Sequence, residues 1–401
     1  MTSWVLVLNA GSSSLKYSLV DAVSGRADAS GLVERIGEPG GVLTHHGPQG
    51  DHRTERSFAT HADALRTVLD AFEDHGPRLR DVDLRAVGHR VVHGGARFSA
   101  PVLVDDEVVA GVEALVPLAP LHNPASVEGI STARTLFPDL PQVVVFDTAF
   151  HQTLPESAYT YAVPLSLRDD HGIRRYGFHG TSYSFVTRAS AALLGRPVEE
   201  LNMVVLHLGN GASACAVRGG RSVDTSMGLT PLQGLVMGTR SGDVDPALHA
   251  HLERQLGWSV HEVDRVLNRE SGLKGLSGSV DFRELTERCQ AGDAQAQLAV
   301  DVYNHRIRSY VGAYYAVLGT VDAVVFTAGV GQNSPEVRAA SLSGLERLGI
   351  VVDPGLNQRR CTAPMTVSPD GSEVAVLVVP TDEEWEIARQ TMTLVGPVPA
   401  E

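Results

Sequence analysis

Val5-Leu6-Val7-Leu8-Asn9-Ala10-Gly11-Ser12-Ser13-Ser14 recurs in outline 200 residues further on, as Val205-Leu206-His207-Leu208-Gly209-Asn210-Gly211-Ala212-Ser213-Ala214. Five of the ten positions are identical: Val5/Val205, Leu6/Leu206, Leu8/Leu208, Gly11/Gly211 and Ser13/Ser213. Each stretch is an apolar run closed by Asn, Gly and Ser, the pattern of a buried strand that turns and returns along a second strand. Over ten residues any two such units look alike. The offset, however, is half of the 401-residue chain, and that favours duplication: two similar domains, each opening with the same hairpin.

The rest of the chain alternates in the same manner. Apolar runs at 143–146, 323–327 and 374–379 are bounded by Gly, Asn, Asp or Pro and read as buried strands. Amphipathic stretches at 61–72, 182–194, 243–255 and 294–318 read as helices, and 382–390 reads as a last helix with Thr381 as its N-cap. The expected class is therefore α/β. With 43% hydrophobic and 20% charged residues there is apolar material for two cores. The 33 basic against 47 acidic residues give −14, which argues against unspecific binding to nucleic acid or an anionic membrane while leaving room for a local anion site. Cys215, Cys289 and Cys361 are too scattered for a disulfide framework or a structural zinc. The N-terminus has no secretory pattern, and no apolar stretch approaches the roughly 18 residues of a membrane helix. The expected location is the cytoplasm. Only Lys16 and Lys274 are lysines, against 31 arginines, which draws attention to each.

Two Gly/Ser/Asn turns suit phosphate binding, because glycines let the backbone approach and successive N–H groups can point at an anion. Neither is a GxxxxGK[ST] loop or a GxGxxG fingerprint. Lys16, two residues beyond Ser14, faces the same side of an extended strand and could address the same phosphate. A third turn at 328–334 follows a strand and precedes a helix that Pro335 would start. Arg90, His179 and Arg240 sit among glycines and apolar residues, where a cation needs a partner; two such arginines with a histidine could clamp a phosphoryl group in transfer. The competing reading for each is a structural ion pair. Asp147 ends the run at 143–146, where α/β crevices open, and Glu383 holds the equivalent place after 374–379. For Glu383 the alternative is first-turn charge on a helix.

Taken together the segments LNAGSSSLKYSL (8–19), GHRVVHGG (88–95), LAPLHNP (118–124), VVVFDTAFHQTLP (143–155), RYGFHGTS (175–182), HLGNGAS (207–213), MGLTPLQGLVMGTRSGDVDP (227–246), SGSVDFR (277–283) and AGVGQNS (328–334) resemble the acetate kinase family. The resemblance implies two duplicated actin-like, ribonuclease H-like domains with an interdomain active-site cleft. They are expected at 1–150 plus a returning 385–401, and at 151–384, the second binding nucleotide and dimerising. It also implies reversible, direct in-line phosphoryl transfer between ATP and acetate, giving acetyl phosphate and ADP, with Mg²⁺ (or Mn²⁺), in a homodimer. By position, Asn9 and Glu383 would serve the metal and Lys16 the ATP side. Arg90 would hold the acetate or acetyl phosphate, Asp147 would be the active-site aspartate, and His179 and Arg240 would stabilise the transition state. Val92, Leu121, Phe178 and Pro231 would form the methyl pocket. His207, Leu208, Gly209, Asn210 and Gly211, Asp281, Phe282 and Arg283, and Gly329, Val330, Gly331, Gln332 and Asn333 would bind nucleotide.

The chain departs from the family pattern in places. Tyr183 stands where the FHGTS segment continues with His, Gln332 replaces Glu, Leu229 and Gln233 replace Phe and Glu, and Asp382 replaces Asn. Rival readings are a propionate or butyrate kinase of the same fold, which a residue smaller than Val92 would favour, and a non-catalytic nucleotide-binding regulator, which would not need Arg90, His179 and Arg240 together.

Overall fold

The computed structural model describes residues 3–120 and 122–396. The chain divides into two compact units, one reaching to Phe150 and resuming at Asp382, the other running from His151 to Thr381. The return thus begins at Asp382 and not at 385, because Asp382 is the cap of the helix Glu383–Val395: its carboxylate accepts the Trp385 N–H at 2.8 Å. Thr381, expected to be the cap, bonds Ser182 at 2.8 Å instead.

In the first unit, among the described residues, β1 (Trp4–Gly11), β2 (Ser14–Asp21), β3 (Ala27–Glu34), β4 (Val42–Gly47), β5 (Gly50–Glu55), β6 (Leu84–Val91), β7 (Val102–Leu103) and β8 (Gln142–Phe146) form one sheet ordered β5-β4-β3-β2-β1-β6-β8-β7. In the second, β9 (Asn202–Leu208), β10 (Ala212–Arg218), β11 (Arg221–Thr225), β12 (Ala323–Thr327), β13 (Met365–Thr366) and β14 (Ala375–Val378) are ordered β11-β10-β9-β12-β14-β13. Without the β4–β5 hairpin the two orders match strand for strand. Each has an antiparallel meander, two further strands parallel to its first, and an antiparallel edge. That is the duplicated α/β architecture expected from the repeated hairpin.

The two hairpins turn at different points, which the 200-residue alignment does not show. β1 stays extended through Asn9 and Ala10, and Gly11 pairs with Ser14 across Ser12–Ser13. β9 stops at Leu208, and the Gly209 N–H bonds the Gly211 carbonyl at 3.0 Å to close a three-residue turn before Ala212. The second turn is thus one residue longer and begins earlier, and Asn9 and Gly11 do not occupy equivalent places in it.

Two helix expectations also need correcting. The helix expected at 243–255 is Leu248–Leu256. Asp243 is held outside it by the Gly234 N–H at 3.0 Å and the Tyr310 hydroxyl at 2.7 Å, and Asp245 precedes Pro246, a position that disfavours helix. The segment after β12 is a short helix, Ala328–Asn333, before Pro335–Leu342, entered through Ala328 at φ 62°. Among the described residues no helix is long and apolar enough to cross a membrane.

Side-chain alternation along the first sheet positions the chemistry. Val5 and Val7 of β1 and Val143 and Val145 of β8 pack against Ile387 and Ala388 of the terminal helix, while Leu6 and Leu8 face Leu65, Val68 and Phe72 of the helix His61–His75. Gly88 of β6 lies under Ile387 and Thr391, so close that a Cβ there would stand 2.7 Å from the Thr391 Oγ1. Counting on by two from Val7, Gly88 and Val145 reaches Asn9, Arg90 and Asp147, which therefore emerge on the face that the terminal helix covers.

Candidate active site

At the carboxyl ends of β1, β6 and β8, Arg90 is the hub. Its Nε and Nη2 donate to the two oxygens of Asp147 at 3.1 and 2.5 Å, and its Nη1 reaches the Asn9 Oδ1 at 3.4 Å. Glu383, the first residue of the terminal helix, brings Oε2 to 3.9 Å from the Arg90 Nε. Asp147 is 1% exposed. Burial opposes the charge on Arg90, but Asp147 and Glu383 outweigh it and hold the guanidinium above its usual range. Burial, and then the like charge of Asp147, push the Glu383 carboxyl up against the pull of Arg90. Lys16 is the cross-strand partner of Asn9 and forms an ion pair with Glu384. The first unit thus brings Asn9, Lys16, Arg90, Asp147 and Glu383 to one sheet end. Val92, half-buried, follows directly after β6.

In the second unit, His179 precedes the helix Gly180–Leu194 at φ 59° and ψ 23°. A left-handed conformation costs a residue other than glycine about 1–2 kcal/mol and persists only where the surroundings over-determine it. Here the Nδ1 of His179 bonds the Ser213 Oγ at 2.8 Å, and its ring stacks on His207 with centroids 4.1 Å apart. His207 bonds the Ser182 Oγ at 2.8 Å, so each of the two stacked rings is held by a serine. Arg240 donates through Nη1 to the Pro231 carbonyl at 2.7 Å, and burial pulls its guanidinium down from the usual range. Arg240 and His179 converge on Gly211: a Cβ there would stand 3.3 Å from the Arg240 Nη2 and 3.5 Å from the His179 Nε2.

The same turn borders a cleft of about 920 Å³. Of the residues assigned to nucleotide, Gly209, Asn210, Asp281, Phe282, Arg283, Gly329, Val330 and Asn333 line it. His207, Leu208, Gly211, Gly331 and Gln332 do not. Leu208 is a core residue, Gly331 packs against Phe326 and Leu208, and the Gln332 side chain donates to the Cys361 carbonyl at 3.0 Å. Asp281 caps the helix Phe282–Gln290, and its ion pair with Arg283 lowers its carboxyl to about 2. Thr286, Glu287 and Gln290 of that helix also line the cleft. Their spacing of four from Phe282, Arg283 and Thr286 is the signal that could have found them. Leu273, Val280 and Glu336 join the lining without such a signal.

Of the methyl-pocket residues, Phe178 is buried and Pro231 half-buried in the second unit, Val92 belongs to the first, and Leu121 lies outside the described residues. Among the described residues no three His, Cys, Asp or Glu side chains are grouped to hold a metal ion.

The family model for acetokinases matches residues 4–389. The chain belongs to the acetokinase family. It is 59% identical to the acetate kinase of Streptomyces avermitilis over 394 residues, 98% of this chain and 97% of that one. The crystal structure of Porphyromonas gingivalis acetate kinase superposes with a TM-score of 0.95 at 43% identity, covering 98% of this chain and 100% of that one. A propionate kinase from Francisella tularensis gives 0.91 at 40% identity, covering 98% and 99%. The acetokinase fold is therefore shared with both along nearly the whole chain.

Proposed function

We propose that this acetokinase transfers the γ-phosphoryl group of ATP reversibly to the carboxylate of acetate, giving acetyl phosphate and ADP. The observation that carries the reading is the turn 209–211. Its first two residues border the cleft, and its third lies beneath the converging nitrogens of Arg240 and His179. A nucleotide seated in that cleft, between Asp281–Arg283 and Gly329–Asn333, would extend its phosphates towards Arg240 and His179.

The chemistry asks for little else. Acetate, with a carboxyl pKa of about 4, is ionised at neutral pH and needs no strong base. The work is to bring two anions together and offset the charge of the moving phosphoryl group, which falls to Arg240 and His179. Arg90 holds the acetate carboxylate or acetyl phosphate. Asp147 presents both oxygens to Arg90 and so aims it; it does not act as a base. Transfer is direct and in line, without a phosphoenzyme. Lys16 serves the ATP side. The oxygens of Asn9 and Glu383 suit a hard cation such as Mg²⁺ or Mn²⁺, which keeps several waters and takes one or two protein oxygens together with substrate phosphates. When bound, the metal supplies charge neutralisation on the phosphates. The reading includes a homodimer in the cytoplasm, and keeps Val92, Leu121, Phe178 and Pro231 as the residues that the family resemblance assigns to the methyl group. The likeness to a propionate kinase makes a longer acid the second reading. One methylene in an apolar pocket is worth only about 1–3 kcal/mol, so the preference is graded.

The test is acyl phosphate trapped with hydroxylamine from MgATP and acetate, propionate or butyrate. Turnover highest with acetate and abolished in Arg240→Ala is expected. A preference for propionate moves the assignment to the second reading, and no acyl phosphate from any acid overturns both.

A further inference from the structure

Tyr183 lies one helical turn after His179 and is fully buried, yet it ends on a hydroxyl within 2.5 Å of the Ser213 Oγ. Ser213 is the residue that holds the His179 Nδ1. A phenol O–H is more acidic than an aliphatic alcohol and so the better donor, while the serine oxygen is the better acceptor, so Tyr183 gives its proton to Ser213. A serine hydroxyl that accepts from Tyr183 turns its proton to the other neighbour, the His179 Nδ1. Burial pushes the phenol well above its ordinary range, so the donor keeps its proton.

We propose that Tyr183 is a positioning residue that sets the tautomer of His179 through Ser213. With Nδ1 accepting, the imidazole carries its proton on Nε2, the atom that faces the point above Gly211 where Arg240 Nη2 also converges. His179 is thereby a hydrogen-bond donor to the phosphoryl group before substrate arrives. The proposal rests on the phosphoryl-transfer reading for its consequence, while its structural half concerns the free protein. Touching neither substrate nor reacting atoms, Tyr183 acts only through the relay. A histidine donor held in the wrong tautomer forfeits most of its contribution, so the effect belongs to turnover and not to binding.

The experiment has two arms. In the first, nitrogen-15 NMR of uniformly labelled wild-type protein, with His179 assigned by comparison with His179→Asn, reads the tautomer directly. The proposal requires neutral His179 protonated at Nε2 in the absence of ligand, and a proton on Nδ1 overturns it whatever the enzyme does. In the second, Tyr183→Phe, Ser213→Ala and the double variant are compared in steady-state kinetics. Tyr183→Phe should lower kcat about 10- to 100-fold, leave KM for ATP and acetate within about twofold, and show a mixed His179 tautomer. The double variant should be no slower than Ser213→Ala alone, since both changes break one relay. Multiplying losses would show that the tyrosine acts apart from Ser213, and an unchanged kcat and tautomer in Tyr183→Phe that it only fills space; either overturns the relay. If wild-type protein shows the Nε2 tautomer but makes no acyl phosphate, the relay stands and the reaction assigned above fails.

Discussion

A side chain at position 211 would occupy the point on which Arg240 and His179 converge, 3.3 and 3.5 Å from their nitrogens, so glycine there keeps room for a ligand atom. Two residues away in space the opposite economy holds: at φ 59° glycine would be unstrained, yet the chain places a histidine there and restrains it with Ser213 and a stacked His207. His89 shows a third case. It is buried beside Arg90 and bonds the Gln142 Oε1 at 2.8 Å, and burial lowers its pKa to about 4 despite that bond. Above about pH 6.5 it is neutral folded and unfolded alike, and contributes no pH dependence. Between 6.5 and 4 the unfolded chain takes up a proton that the folded one refuses, so stability falls as pH falls; below 4 both are protonated and the contribution is flat. The loss amounts to about 3 kcal/mol. Urea denaturation at pH 7, 5.5 and 4.5 should show the decline, and His89→Gln should flatten it. Equal slopes in the two proteins would refute the assignment.

The element that organises the first unit is its last helix. Glu383–Val395 crosses β1, β6 and β8, and the tight contact at Gly88 sets how near it comes. Gly88→Ala would place a methyl group 2.7 Å from the Thr391 Oγ1 and 2.9 Å from the Ile387 Cγ2, forcing the helix outward. Overpacking of that kind costs about 1–3 kcal/mol. Because the helix begins at Glu383, kcat should fall together with the melting temperature. Thr391→Ala removes a buried hydroxyl that has no hydrogen-bond partner and should restore part of both in the double variant. A stability loss with kcat unchanged would separate the helix from the chemistry. The strands β1, β8, β9, β12 and β14, the two strands that return from the hairpins, and the helices at 61, 182 and 294 were readable because apolar periodicity and strong termination marks agree there; β3–β7, β11 and β13 carry no such run and were not read. The helix expected at 243 was not readable, because Asp243 is drawn off by Gly234 and Tyr310, contacts that no local pattern announces.

At the scale of the whole molecule, the cleft proposed for nucleotide is built from separate stretches near 209, 238, 273–290 and 329–336. Binding one ligand should therefore slow amide exchange in distant parts of the sequence at once. Saturating ADP is expected to protect Phe282–Gln290 and Ala328–Asn333 together, and to stabilise the protein by about 2.7 kcal/mol at a concentration 100 times its Kd. Exchange mass spectrometry with and without ADP checks this, and protection that spares Phe282–Gln290 would place the nucleotide elsewhere.

From the sequence alone came the α/β class, the duplication, the acetokinase motifs, and the choice of Arg90, Asp147, His179, Arg240 and Glu383 as candidate site residues. These are carried by residue type and short-range pattern, since glycine turns, apolar runs and rare cations need no tertiary context to be seen. Only the tertiary structure decided who meets whom. It closed Arg90 onto Asp147 across 57 positions, shifted the apex of one hairpin against the other, and moved the start of the returning segment to Asp382. It also ran Tyr183 through Ser213 to His179. The reason is physical: hydrogen bonds and close packing act over a few ångströms of space, and chain separation carries no record of which distant side chains will share them.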